Sequence, residues 1–303
     1  MINKDNSIHS VIKISCVSEG EKTLLEDGLF DIPYKVVHYG SKLLSNHLEL
    51  MMMCASPGIM DGDFLDISVD CKEGSEMLLF SQSYNKLHPM KKGASQHMKI
   101  SVEKDAIFQY IPHPAIPFKE SIFDIFNEAH VEASGHLLLA DIISGGRIHS
   151  DEKFEFTRIH SRSKIHYDKK LILYDNQLLD PAKQNLEDMF FFEGFSHQAT
   201  LIVVSEYATE IKNEMDEMFK EQFTDLKYGF TLCNDKAIML RALGTSGDAM
   251  YKWLTNIGDM CRSYINFKKK EAATNEMMEE RKEAKVKVIQ RKKKEEKLLK
   301  TTR

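Results

Sequence analysis

Ser56-Pro57-Gly58-Ile59-Met60-Asp61-Gly62-Asp63, running straight into Phe64-Leu65-Asp66-Ile67-Ser68-Val69-Asp70, is the stretch whose reading decides the fold. In its second half Leu65, Ile67 and Val69 alternate with Phe64, Asp66, Ser68 and Asp70, the period-two pattern of a strand with one buried face. In its first half Pro57 fixes φ and Gly58 tolerates φ > 0, a pair that suits the centre of a type II turn. Gly62 offers a second permissive backbone position just before the strand. Asp63 therefore stands where a tight loop enters a sheet. It reads either as a solvated acid on a hairpin turn or as a carboxylate partly buried at the sheet's end.

The same pattern spreads outward along the first two-thirds of the chain. Ile12, Ile14 and Cys16 alternate with polar neighbours, as do Met98, Ile100 and Val102. Met77-Leu78-Leu79-Phe80 follows the turn residues Glu73-Gly74-Ser75, and Ala106–Ile111 runs into Pro112, Pro114 and Pro117. Short strands separated by turn signals predict a mainly β architecture, a sandwich or stacked sheets. No sequence repeat of fixed period is present. Two helices are predicted on apolar stripes, one through Ile211, Met215, Met218 and Phe219, the other through Met250, Trp253, Leu254, Ile257 and Cys261, with Ser246 or Asp248 as its N-cap. Residues 268–303 are rich in Lys, Glu and Ala and lack a heptad, which predicts a solvated helical tail.

Composition narrows the classes of function. The 303 residues carry a net charge of −5. That value conceals a tail of net +7 from Lys268 onward and a body of net −12. An acidic body is unsuited to nucleic acid and suited to cations or basic partner surfaces. No apolar run is long enough to span a membrane, and no secretory leader is read at the N-terminus. The five cysteines, Cys16, Cys54, Cys71, Cys233 and Cys261, are odd in number and scattered. They predict no disulfide framework or zinc motif, small buried side chains, and a reducing, cytoplasmic location.

The motifs of several enzyme classes are missing. There is no Gly-x-Ser-x-Gly elbow, phosphate-binding loop, dinucleotide fingerprint or His-Glu-x-x-His pair. His160 and His166 fall in one strand-like region at a spacing that lets both line one face. Asp141 is embedded in the apolar run His136–Ile143, where a carboxylate needs a partner, hydrogen bonds or a raised pKa. An ion pair with Arg147 and a position at the sheet rim are the plain alternatives. Paired carboxylates on a β scaffold also leave open a carboxylate-dependent hydrolase.

Several ordered blocks together resemble the UreD family of urease accessory proteins, called UreH in Helicobacter. They are Pro57-Gly58 with Gly62-Asp63, Ser81-Gln82-Ser83 with Lys86, the Pro112–Phe118 segment, and Gly146-Arg147 with the Asp151–Phe156 block. Lys170–Pro181, Phe192–His197 and Leu240–Leu243 complete the set. The likeness covers roughly residues 10 to 265, with departures: Pro57-Gly58 replaces a usual Gly-Gly, Leu87-His88 a frequent Val-Tyr, and Asp141 and Asp175 stand where many members have glutamate. The resemblance implies stacked twisted sheets, β-helix-like or sandwich, over residues 8–267, with two peripheral helices and the 268–303 tail outside it. It implies a non-enzymatic chaperone, with no permanently bound cofactor, that passes nickel to apo-urease through an internal polar channel. The implied partners are UreF, the GTPase UreG acting through the complex, and the urease apoenzyme, with room for a dimer of that complex. Carried over residue by residue, Asp63, Ser83, Asp141 and Asp175 are the expected nickel path, Asp175 at the end of its strand.

Overall fold

The computed structural model describes residues 7–40, 45–219 and 225–301. Its strands are β1 (His9–Glu19), β2 (Lys22–Phe30), β3 (Tyr34–His38), β4 (Leu48–Cys54), β5 (Phe64–Cys71), β6 (Glu76–Ser81), β7 (Asn85–Leu87), β8 (Ala94–Val102) and β9 (Ile107–Tyr110). They continue as β10 (Ala115–Pro117), β11 (Ile122–Val131), β12 (His136–Ser144), β13 (Arg158–Tyr167), β14 (Lys170–Leu179) and β15 (His197–Val204). Helix α1 (Ala208–Phe219) precedes β16 (Lys227–Asn234) and β17 (Ala237–Gly244), and α2 (Gly247–Thr301) follows. A first compact unit spans Met1–Gly258 and a second, helical where described, spans Asp259–Arg303.

Two sheets are stacked. One runs β14-β13-β11-β8-β5-β1-β2, the other β16-β17-β15-β12-β9-β6-β4-β3, with β7 and β10 attached at its side. The expectation of a mainly β body of stacked sheets with two helices holds. Its winding is more specific than the period-two pattern could say. From β4 to β13 the chain alternates between the sheets, and β1, β5, β8, β11 and β13 pair in parallel, as do β4, β6, β9 and β12. Each turn of this winding lays a new strand beside the previous one in each sheet. Antiparallel hairpin partners occur at the margins, such as β1 with β2 and β13 with β14.

Alternation along each strand places the core between the sheets. β5 buries Leu65, Ile67, Val69 and Cys71, and β8 buries Ala94, Gln96, Met98, Ile100 and Val102. The register aligns Ile12, Ile67 and Met98 across three strands, so like side chains stack on one inner face. Strands facing apolar layers on both sides, such as β9 and β12, are buried almost throughout. Ile211 and Met215 form the buried face of α1, while Met218 is exposed. In α2 Met250, Leu254 and Ile257 are buried, and Ser246 Oγ accepts from the Ala249 amide as the N-cap. No described helix is long and apolar enough to cross a membrane.

Three local expectations are corrected. The Pro57-Gly58 pair makes no type II turn: the Ile59 amide donates to the Lys86 carbonyl at 2.8 Å, and Ile59 bridges Leu87 in parallel. Strand pairing has taken the donor that the turn would have used. Gly58 is required there for a different reason, since a Cβ would lie 2.4 Å from the Lys86 carbonyl oxygen. Gly58→Ala is expected to destabilise the fold by about 1–3 kcal/mol, measured as a lower denaturation midpoint; an unchanged midpoint would refute this reading of the loop. Asp175 does not end its strand but lies midway along β14, which continues because antiparallel pairing with β13 extends to Leu179. Cys16, Cys71 and Cys261 are buried as expected, but Cys54 at the end of β4 and Cys233 on the edge strand β16 are exposed.

Candidate functional site: a polar layer between the sheets

Two apolar clusters of the described residues bear on the site. One cluster contains Ile67, Met98, Ile100, Phe108, Leu139 and Ile202. The other contains Phe123, Ile143, Phe156, Ile159 and Leu179. Register explains what separates them. On the inner face of the first sheet one row reads Leu65–Gln96–Ile125–Ser161–Gln177, and the next reads Ile67–Met98–Asn127–Ser163–Asp175. On the facing sheet Asp141, Thr200 and Arg241 form one row. Both rows of the first sheet become polar toward β13 and β14, and the Asp141 row faces into the same zone.

The layer is buried and internally satisfied in part. Gln96, Asn127, Ser161, Ser163 and Thr200 are all buried. Asn127 Nδ2 donates to Ser163 Oγ at 3.1 Å, and Ser161 Oγ donates to Asp141 Oδ2 at 3.1 Å. At the β14 side the layer is bridged across the sheets. Gln177 Nε2 donates to Gln198 Oε1 at 2.7 Å, and Arg241 pairs with Asp175 Oδ1 at 2.5 Å. The Asp175 side chain is only 18 % exposed. At the other side a cavity of about 100 Å³ opens among Asp141, Gln96, Asn127, Tyr34, Ser83 and His113. That volume holds several waters, each needing roughly 10–15 Å³, and its walls carry polar groups to bind them.

Asp141 is the electrostatic centre. Burial raises its pKa to about 6, the Asp175 charge adds to the rise, and the Ser161 hydroxyl and the Arg241 charge oppose it. At neutral pH it is ionised at a cost, which makes the site attractive to a cation. The alternative of an ion pair with Arg147 is set aside, because Arg147 binds Glu152 and lies over the Phe118 ring. Arg241 holds the neighbouring acid. Arg241→Ala is expected to destabilise the chain by about 0.5–1 kcal/mol, given its part-exposed position, and to move the Asp141 titration above about 6. Carbon-detected NMR of the Asp141 carboxyl against pH measures that shift; an unmoved titration would disprove the coupling.

The four residues expected on the path are not equally close. Asp141 and Ser83 line the same cavity, Ser83 at its exposed rim. Asp175 acts on Asp141 through its charge. Asp63 stands apart: its Oδ1 accepts from the Ile8 amide at 2.8 Å and its Oδ2 from the Met60 amide at 2.9 Å. It lines a second cavity of about 10 Å³ that shares Tyr34 and Leu65 as walls with the larger one. Burial raises the Tyr34 hydroxyl well above its ordinary pKa, with Cys54 and Asp63 adding to the effect. At the mouth Tyr84 donates to Asp248 and His113 stacks on Tyr251 with ring centroids 3.9 Å apart, so the first turns of α2 border the cavity. Burial lowers the His113 pKa. Gln96, Asn127, Ser161 and Arg241 join the site without belonging to the path expected from the sequence. Gln96 and Asn127 had a signal, since each is polar at a position whose neighbours two residues away are apolar.

A family model described as UreD urease accessory protein matches residues 9–275. The urease accessory protein UreD of Acetivibrio thermocellus is 35 % identical over 238 residues, covering 77 % of this chain and 89 % of its own. That of Flavobacterium johnsoniae is 31 % identical over 253 residues, covering 83 % and 89 %. The urease accessory protein UreH of Helicobacter pylori is 34 % identical over 187 residues, covering 61 % and 69 %.

Proposed function

The chain belongs to the UreD family of urease accessory proteins, and we propose that it serves urease maturation as a non-catalytic chaperone that passes nickel ions along the polar layer between its sheets. The observation that carries this reading is the layer itself. Ten or so oxygen and amide groups interrupt an apolar interior where hydrophobic packing would be more stable. A fold retains such a layer at a cost to stability when the groups have work to do.

The donor set fits an ion in transit. Ni²⁺ stands near the top of the divalent affinity order and is held tightly by imidazole and thiolate. A path lined by carboxylate, hydroxyl and amide oxygens attracts it and still releases it, the balance any conducting path requires. In this reading Asp141 is the point of strongest attraction. Asp175 with Arg241 sets its charge, Ser83 lines the rim, and Asp63 acts mainly by fixing the neighbouring loop against β1. The chain carries no nucleotide-binding loop, so UreG supplies the GTP-driven step from within a complex that includes UreF and apo-urease. The cavity is small beside the roughly 300–1,000 Å³ of pockets for organic ligands, which favours an ion over a glycoside and weighs against the hydrolase alternative.

Co-expression tests the role. Urease structural and accessory proteins are produced in a nickel-fed host with this chain present, absent, or carrying Asp63→Ala with Asp141→Ala. Urease activity is expected to require the chain, and the double variant to lose activity while still co-purifying with UreF. Full activity without the chain would refute the function. Full activity with the double variant would refute the path alone.

A further inference from the structure

The outer face of the first sheet carries a group of side chains that the polar layer does not use. Glu128 and His130 project from β11 and His166 from β13. His130 and His166 are register partners in the parallel pair, and their rings stack with centroids 4.6 Å apart and planes 7° apart. Glu128 Oε1 lies 3.9 Å from His130 Nε2. One ligand atom from each of the three falls within 4.8 Å of the others. His166 Nδ1 is shielded from solvent and has no hydrogen-bond partner among the described residues. Beside it the register with β14 steps from Ile165–Leu173 to His166–Leu171, so the extra residue, Ile172, lies on β14 and the β13 backbone that carries His166 stays in regular register with β11.

We infer that Glu128, His130 and His166 form an external site for one first-row divalent transition ion. Two imidazoles and a carboxylate select Zn²⁺, Ni²⁺ or Cu²⁺ over Mg²⁺ and Ca²⁺, which prefer oxygen. Metal–imidazole bonds of about 2.0–2.1 Å place the ion in the plane of each ring, so binding requires the two stacked rings to rotate out of their parallel arrangement toward a shared point. Two lysines flank Glu128 in register, Lys99 on β8 and Lys164 on β13. Lys164, in register with Glu128, lies over the Phe126 and Tyr174 rings, its Nζ 5.6 and 5.8 Å from their centroids. His160, the other histidine of this strand, is not a ligand, since it bonds Asn176 and lies beside Asp124. Because the site faces away from the intersheet layer, it does not depend on the nickel path.

Calorimetric titration of the tag-free full chain with nickel sulfate, zinc sulfate and calcium chloride tests the site. The wild-type chain is expected to bind one more equivalent of nickel or zinc than His130→Ala with His166→Ala, and no calcium there. Glu128→Gln is expected to weaken that equivalent by at least about tenfold, no less than an outer-shell partner would. His130→Gln with His166→Gln, which preserves side-chain bulk, replaces the alanine pair if circular dichroism shows the latter misfolded. Identical titrations of wild type and double variant, or no nickel or zinc bound by the wild type, would overturn the proposal.

Discussion

Asp141→Asn should abolish most nickel-dependent urease activation and at the same time make the chain more stable at neutral pH. The two effects have one cause. The Asp141 carboxyl titrates at about 6 in the folded chain, raised by burial and by Asp175, whereas the unfolded chain releases the proton near the ordinary carboxylate value. Between those limits the folded state binds more protons than the unfolded state, so stability falls as pH rises through the window. Above about pH 6 the full penalty remains, up to about 3 kcal/mol for a carboxyl raised from its ordinary value to about 6. Asparagine keeps the shape, still accepts from Ser161 and carries no charge, so the variant gains that amount at pH 7.5 and nothing below about pH 4. Its melting midpoint should rise by about 5 °C. The same change removes the attraction for a cation. A carboxylate about 4 Å from each unit of positive charge contributes roughly 4 kcal/mol at an effective dielectric near 20, enough for a fall in activation of at least about tenfold. Thermal melts at pH 4 and 7.5, beside activation assays, measure both. A variant less stable at pH 7.5, or one that activates fully, would contradict the reading.

Replacing a neutral part of the layer should separate packing from passage. Asn127→Leu with Ser163→Ala removes a donor and its acceptor together, so neither is left orphaned. Such paired replacement is neutral or stabilising by about 1 kcal/mol, and it joins the two apolar clusters that the layer divides. The charges of Asp141 and Asp175 are untouched. If ions use the layer, the wall that helped hydrate them has become apolar, and an ion loses several kcal/mol of solvation there. Activation should drop at least about tenfold while folding and co-purification with UreF persist. Undiminished activation by a well-folded double variant would show that the layer is structural only.

The period-two alternation of β5 and β8 made the sheets legible, because a strand with one buried face must alternate whatever its partners. It could not reveal that those partners are parallel. Direction of pairing depends on where the chain goes after the strand, and the turns Glu73-Gly74-Ser75 and Lys91-Lys92-Gly93 lead across to the other sheet without any hairpin signature. The type II turn expected at Pro57-Gly58 fails to form for the same reason, since the Ile59 amide is taken by the carbonyl of Lys86, 27 positions away in the chain. Asp141 was conspicuous because an acid in an apolar run is expensive. Gln96 and Asn127 break the alternation just as visibly but, being uncharged, cost less to bury and so signal a site less strongly. The Asp175–Arg241 bridge was beyond reach, as it joins two sheets and residues 66 apart. The outer histidine pair was half legible: the spacing placed His160 and His166 on one face, but only the β11–β13 register supplies His130 as the true neighbour.

Locating the metal tests the central claim most directly. Crystals of the chain soaked in a nickel salt, with data collected at the nickel edge, report where the ion rests between or upon the sheets. The intersheet path predicts anomalous density in the cavity beside Asp141 and its loss in Asp141→Asn crystals, with the outer histidine site as an internal marker of soaking. Density confined to the outer faces, at concentrations that fill that marker, would contradict it.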